Sequence, residues 1–386
     1  MDQTLNSRAS PSPPRLSVVL PTCDRREQTV RCVQSLLAQS IAARSDDLEI
    51  VVVDDGSADG TAEAIESLAE TSPVAVRVLR NPKNLGANAS RNRGVQVARG
   101  PLIAFLDSDC EADPDWLERL AAVFDDRRVG AASGLVEDLC RGNLWELAFC
   151  GTHRLPRRGD ASRFTSCNLC VRRELLAAHA WEEDFSNAAV TESGRADTSF
   201  SGRCDEEGLY LAIRAAGWSV VAEPSARLVH RHPYTARSFL RQAWHGGRAA
   251  AELVWKFRLR DRLDVAPFAL TALAALAAIA LALLLETPWS AWTWLLPLPP
   301  LAAGIAAVCW NETANKGKSW FELLRTAPAL AIYYFLRTGG YCLRRIGLWC
   351  GRGSIRRIAP GSLGRTMPKP PAPPTIPATA CAGASP

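Results

Sequence analysis

The chain has 386 residues, enough for one sizeable domain with further structure beside it, and 47% apolar and 22% charged residues are ordinary globular proportions. Its net charge is +5, yet no segment interleaves aromatic and basic residues as nucleic-acid-binding motifs do, which excludes nucleic acid as a partner. The basic clusters "WKFRLRDRL", "RTGGYCLRRIG" and "GSIRRIAPGSLGR" instead lie near an almost uncharged stretch, 265–310, and point to an anionic membrane surface. Twelve cysteines without regular spacing, and no secretory signal, indicate reduced thiols in a cytosolic compartment. Cys167 and Cys170 form a lone C-x-x-C with no second pair to complete a zinc site.

Residues 1–15 are polar and Pro/Ser-rich and read as a disordered lead-in. From Leu16 the pattern alternates. "LSVVLPT" is a strand, "RREQTVRCVQSLLAQS" a helix, and "LEIVVVDDGSADG" a continuous β-branched strand closed by acids and turn residues. "TAEAIESLAE" is a helix, "VAVRVLR" a strand, "GANASRNRGVQVARG" a helix and "PLIAFLDSD" a strand. Such alternation implies βαβ units, hence a mostly parallel α/β sheet with helices on both faces. In such sheets ligands bind beyond the carboxyl ends of the strands. Three strands end there in polar residues: Thr22, the pair Asp54/Asp55, and Asp107/Asp109. Asp-Gly-Ser is also ordinary turn chemistry, with Asp59 or Gly60 capping the next helix, and Asp113 and Asp115 suit the start of another. A buried carboxylate cluster at Asp107 and Asp109 must reach water or hold a cation.

The segments "LSVVLPTCDR", "VVVDDGSADGT", "NLGANASRNRGVQVARG" and "IAFLDSD", in this order and spacing, resemble the family 2 glycosyltransferases of the GT-A fold. The resemblance covers about 16–244 and implies a Rossmann-like sheet that binds a nucleotide-sugar donor, a UDP-sugar foremost. It places Pro21, Thr22 and Cys23 along the nucleoside pocket, although many relatives carry an aromatic residue where Cys23 stands. Asp55, with Asp54 beside it, matches the acid that accepts from the base, and Arg91 matches an arginine near the nucleotide. No Walker-type glycine loop cradles a diphosphate here, so Mg²⁺ or Mn²⁺ is expected to bridge it to carboxylates. Asp109 is the expected metal ligand, with Asp107 supporting it and touching the ribose.

The acceptor half follows. Asn168 in "TSCNLCVRRELL" matches a position that shapes the sugar or acceptor pocket, and 186–204 reads as a mobile lid. In "CDEEGLYLAIRAAG" the family's acidic pair falls on Asp205 and Glu206 in inverted order. The resemblance makes Glu206 the general base of a single, inverting displacement, with Asp205 or Glu207 as alternatives. His230 matches a histidine that completes the metal's coordination. "SFLRQAWHGGR" is expected to close the acceptor site, with Trp244 on a sugar or at a membrane interface.

The expected domains are 16–250 for the GT-A unit, divided at 135/136, and 251–350 for a membrane region, with 351–386 a disordered tail. Segments 265–285 and 289–310 are apolar enough for transmembrane helices, and basic flanks put both ends in the cytoplasm. Residues 321–348 mix apolar and basic residues and suit an interfacial helix or a third span. Asn311 opens a formal glycosylation sequon on the cytoplasmic side. The reading is a membrane-anchored, metal-dependent inverting glycosyltransferase at the cytoplasmic membrane, acting on a lipid-linked or growing surface-glycan acceptor. A nucleotidyltransferase, which "LPTCDRREQ" fits poorly for want of a Gly-rich loop, and a catalytically degenerate nucleotide-sugar-binding scaffold are the alternatives.

Overall fold

A computed structural model describes residues 13–43, 45–139, 143–149, 159–161, 164–181, 205–231, 235–257, 270–271, 273, 297–310, 319–350, 362 and 364–372. The lid segment 186–204, all but residues 13–15 of the lead-in, and Asn311 lie outside these residues.

The apolar runs form the expected strands: β1 (Leu16–Thr22), β2 (Leu48–Asp54), β3 (Ala75–Arg80) and β4 (Leu102–Leu106). Between them run α1 (Arg26–Leu37), α2 (Thr61–Thr71) and α3 (Ala87–Val97). After β4 come β5 (Cys110–Ala112), α4 (Trp116–Ala122), β6 (Val129–Asp138), α5 (Leu144–Phe149), β7 (Gly159–Asp160), β8 (Asn168–Arg172) and α6 (Arg173–Ala178). The chain continues through α7 (Asp205–Ala215), β9 (Ser219–His230), α8 (Ala236–Phe257), α9 (Leu298–Trp310) and α10 (Trp320–Trp349).

The sheet order is β3-β2-β1-β4-β8-β6-β9-β5, with β7 paired to β9. The first four strands are parallel, β8 runs against both β4 and β6, and β9 is parallel to β6. The sheet is therefore mixed, its antiparallel members all in the second half. Alternation at period two sends Leu16, Val18, Leu20, Ile50 and Val52 to one face and Val19, Val51 and Val53 to the other. Helices α1, α2 and α4 cover the first face through Cys32, Val33, Leu36, Ile65 and Trp116. Helices α6 and α7 cover the second through Leu175, Leu176, Leu209 and Ile213, with α3 beside them.

Two features of this order position a site. The chain turns from β1 to β2 and β3 on one side and returns to β4 on the other, so the order reverses between β1 and β4, where open α/β sheets bind ligands. Pairing of β1 with β4 also stops at Val19 opposite Phe105, so Leu20–Thr22 part from β4 and leave a crevice. Pro21 lies in this unpaired end, where its missing N–H costs no ladder bond.

At the opposite edge, Glu49 is fully buried. It accepts from the Ser17 hydroxyl at 2.6 Å, the Arg99 N–H at 2.5 Å and Arg99 Nε at 3.1 Å, with Arg77 Nη1 at 3.5 Å. Burial opposes its charge, but these donors prevail and hold the carboxyl below the ordinary glutamate value. Glu49→Gln is expected to cost about 1–3 kcal/mol in denaturant unfolding while the folded variant keeps its activity, because the network lies away from the crevice. A depressed pKa contributes stability that is complete above the unfolded value, about 4.3, and is lost as pH falls through the folded one. The gap between wild type and variant should accordingly close in acid.

Several expected boundaries move. Helix α8 is one 22-residue element running unbroken through residue 250, and β6 runs through 135/136, so neither expected boundary is a break in the chain's structure. Residues 321–348 do form a helix, α10, started by a capping box between Ser319 and Glu322. It packs along α8 and α5. At the crossing, a Cβ on Gly247 would stand 1.9 Å from the Arg337 carbonyl oxygen, and one on Gly340 2.2 Å from that of Trp244, so only glycines allow this approach. The Trp244 ring, partly exposed, rests against Gly339 in the same crossing.

Among the described residues no helix is long and apolar enough to cross a membrane. The described part of the 289–310 segment is the 13-residue α9, preceded by a turn at Pro297. The 265–285 segment lies outside the described residues except Leu270, Thr271 and Leu273. The tail is also corrected in part. Met367 is buried in the α6/α7 core, the Trp218 indole donates to the Pro368 carbonyl at 2.7 Å, and the Thr366 hydroxyl donates to Ala178 O at 3.2 Å. An apolar anchor and a buried indole needing an acceptor hold 364–372 on the domain.

Candidate active site

Thr22, at the end of β1, is buried with its hydroxyl 2.7 Å from that of Thr29 on α1. Cys23 is partly exposed in the following turn, and the Asn84 amide donates to its sulfur at 3.3 Å. Burial pushes its thiol up to about 11, so the thiol is neutral and a poor nucleophile. Asp24 takes a left-handed conformation, φ 48°, fixed by the Ser57 hydroxyl on its N–H and the Ala58 N–H on its carboxylate.

Asp54 and Asp55 end β2, and each is tied to its own loop. Asp54 accepts from the Ser57 hydroxyl and N–H, an Asx-type turn, and burial raises its pKa. Asp55 is buried and accepts from Asn81 Nδ2 at 2.6 Å, the Leu85 N–H at 2.9 Å and the Gly86 N–H at 2.8 Å. It thus fastens the loop that begins α3. A carboxylate has about four acceptor sites, so this role leaves little capacity for a base. Of the two expected caps of α2, Gly60 holds the N-cap position, φ 78°, while Asp59 before it accepts from the Thr61 N–H at 3.0 Å and the Arg26 N–H at 2.9 Å. Asp115 holds the N-cap position of α4, but its carboxylate pairs with Arg119 at 2.6 Å and makes no cap hydrogen bond.

Beyond β4 the chain turns at Asp107–Asp109, closed by the Cys110 N–H donating to Asp107 O at 3.0 Å. Arg91 is buried to 1% exposure on α3 and donates to Asp107 Oδ1 at 2.8 Å and Asn88 Oδ1 at 2.8 Å, its guanidinium 5.0 Å from the centre of the Trp181 ring. Arg91 and Asp107 thus meet at the end of β4, backed by a ring the sequence reading did not include.

Asp109 is the most buried acid of this turn, 6% exposed. Its Oδ2 accepts from Arg25 Nη1 at 2.6 Å, and its Oδ1 lies 3.4 Å from His230 Nε2. The other ring nitrogen of His230 is 3.0 Å from Asp138 Oδ1. Burial opposes a charge on His230, but Asp109 and Asp138 outweigh it and hold the imidazole well above its ordinary pKa. Strand pairing explains the meeting, since Cys110 on β5 and Asp138 on β6 both stand opposite His230 on β9.

Asp109, Cys110 and His230 offer donor atoms within 4.8 Å of one another. The Asp109 carboxylate and His230 imidazole fit Mn²⁺ or Mg²⁺, and an Asp138–His230 pair is how metal-ligating histidines are commonly oriented. Cys110 is fully buried with its thiol pKa raised by burial, and a neutral thiol suits a hard cation poorly. Cys167 and Cys170 are free buried thiols of the core.

Asp205 and Glu206 open α7. Helix α7 feeds β9, which is parallel to β6, and a helix preceding such a strand runs against it. Its N-terminus therefore points toward the carboxyl ends of these strands. Asn168 is corrected. It is fully buried, accepts from Trp116 Nε1 at 2.8 Å and donates to the carbonyls of Leu135 at 2.9 Å and Ala226 at 3.1 Å, joining α4, β6 and β9 rather than lining a pocket.

The sequence reading missed Arg25 and Asp138. Asp138 carried a signal, since it ends a strand as Asp54 does. Arg25 carried none beyond its place after β1.

Residues 17–175 match the family described as "Glycosyl transferase family 2". The uncharacterized glycosyltransferase YibD of Escherichia coli is 36% identical over 137 residues, 34% of this chain and 37% of that protein, so the match spans well under half of that relative's length. An N-acetylglucosaminyltransferase of Sinorhizobium fredii is 24% identical over 372 residues, 89% of this chain and 86% of its own. Among solved structures, the mannosyltransferase PcManGT from Pyrobaculum calidifontis, determined with GDP-Man and Mn²⁺, superimposes with a TM-score of 0.51 at 19% identity over 88% of each chain. That likeness gives the same GT-A type of α/β sheet. The domain at 17–175 is thus similar to the family 2 glycosyltransferases.

Proposed function

We propose that the chain transfers a sugar from a nucleotide-diphosphate donor to a hydroxyl acceptor, with inversion at the anomeric carbon. The observation that carries this reading is the Asp109 carboxylate, buried between Arg25 and the His230–Asp138 pair beside the β1/β4 crevice. Asp109 and His230 would hold Mg²⁺ or Mn²⁺, which supplies Lewis-acid stabilisation of the departing diphosphate. Arg91 and Asp107 line the donor side, as do Pro21, Thr22 and Cys23, while Asp54 and Asp55 shape the loops around the base. Glu206 accepts the acceptor hydroxyl's proton, with Asp205 or Glu207 as the neighbouring alternatives. UDP-sugars are the first donors to test, and UDP-N-acetylglucosamine first among them, given the relative that aligns along most of the chain.

The acceptor is read as lipid-linked or glycan, met at the cytoplasmic membrane face with the catalytic domain in the cytoplasm. Support comes from α10, whose outward stripe Phe321, Leu324, Ile332, Leu343, Ile346 and Trp349 is exposed and apolar, in a segment rich in arginine. The test is release of nucleoside diphosphate by the full chain across UDP-, GDP- and dTDP-sugars with and without Mn²⁺, using a membrane fraction as acceptor source. Release that needs both Mn²⁺ and Asp109 supports the reading. Donor binding without turnover under every condition would favour a scaffold, and recovery of the chain wholly apart from membranes would remove the membrane assignment.

A further inference from the structure

We propose that Arg25 is a built-in counter-cation for Asp109: it neutralises this carboxylate when no divalent ion is present and passes to the donor's diphosphate when one binds, so that metal and nucleotide load together. The inference rests on the metal reading above and adds a residue to it.

A carboxylate as buried as Asp109 is costly unless paired, and the structure pairs it on both oxygens. The Arg25 guanidinium holds Oδ2, while His230, backed by Asp138, faces Oδ1. A divalent ion taken up by Asp109 and His230 would then share one carboxylate with a guanidinium, and like charges at that distance repel strongly in a poorly solvated site. Metal without nucleotide is therefore disfavoured. A nucleoside diphosphate relieves the conflict, because its oxygens offer Arg25 another partner for which the guanidinium fork is well suited.

The backbone around Arg25 suits such a transfer. Arg25 stands at the N-cap of α1, and its carbonyl accepts from the Thr29 N–H at 2.8 Å. Asp24 before it is fastened to the 57–58 turn. The main chain is thus anchored while the side chain, 28% exposed, reaches Asp109 from the β1 side of the crevice. Arg91 makes the contrast, since at 1% exposure and pinned by Asn88 and Trp181 it has no room to change partner.

Coupling of this kind is reciprocal, and the test reads it directly. Mn²⁺ binding to the full chain is followed by the electron paramagnetic resonance of free Mn²⁺, first alone and then with saturating UDP or GDP. Arg25→Gln should bind Mn²⁺ alone at least about tenfold more tightly than wild type, and bind the nucleotide in Mn²⁺ at least about tenfold more weakly, as expected for one charge-assisted hydrogen bond moved between partners. Arg25→Lys, which keeps the charge without the fork, should leave Mn²⁺ binding alone near wild type and still weaken the nucleotide. The proposal is overturned if Arg25→Gln melts like wild type but binds Mn²⁺ alone equally or less tightly, or, should that variant not fold, if Arg25→Lys leaves nucleotide affinity unchanged. Should wild type take up no Mn²⁺ even with either nucleotide, the metal reading itself fails and this proposal with it.

Discussion

Asp109→Asn should lower transfer by about a thousandfold or more, with the melting temperature little changed. A ligand holding the ion that stabilises a leaving diphosphate contributes about 4 kcal/mol to the transition state. Stability should survive because Arg25 is partly exposed and can be solvated, and the amide still accepts a hydrogen bond from it. The variant's companion is Asp138→Asn. Asp138 touches His230 at 3.0 Å and acts through it, so its loss should cost about 10- to 100-fold, seen mainly as a raised Mn²⁺ requirement. Turnover measured against Mn²⁺ concentration separates the two. If excess Mn²⁺ restores Asp109→Asn fully, Asp109 is not the ligand.

Glu206→Gln should lower kcat by about 10²- to 10⁴-fold, the usual contribution of a positioned general base, and leave nucleotide affinity in Mn²⁺ unchanged. The opposite pattern, weakened donor binding at full kcat, would make Glu206 a binding residue. Asp205→Asn and Glu207→Gln serve as comparisons. All three acids belong to the first turn of α7, where a helix N-terminus favours negative charge in any case, so only the variant that separates kcat from affinity identifies the base.

The helices and strands of the first half were legible residue by residue. Runs such as Val51–Val53, buried on both sides, need no knowledge of neighbours to be read as interior strands, and the acids that close them mark the carboxyl edge. Reading the second half was harder for a physical reason. There β8, β5 and β7 are antiparallel insertions, and β5 is only three residues long, too short to show a period. Asn168 misled because a polar residue opening a strand looks the same in sequence whether it meets a ligand or bridges three elements. The tail misled because its Pro-rich composition hides one Met that finds a core.

By itself the sequence determined the alternation of elements, the sheet edge at which polar groups gather, and the motifs that resemble a family 2 glycosyltransferase domain. Tertiary structure alone decided the partners: Arg25 on Asp109, 84 positions away, Asp138 on His230, 92 positions away, and α10 laid along α8 by facing glycines. The division follows from the range of the forces. Burial periodicity and capping act within a few residues and are written locally, whereas a carboxylate's counter-charge is set by which strands the crossovers bring side by side.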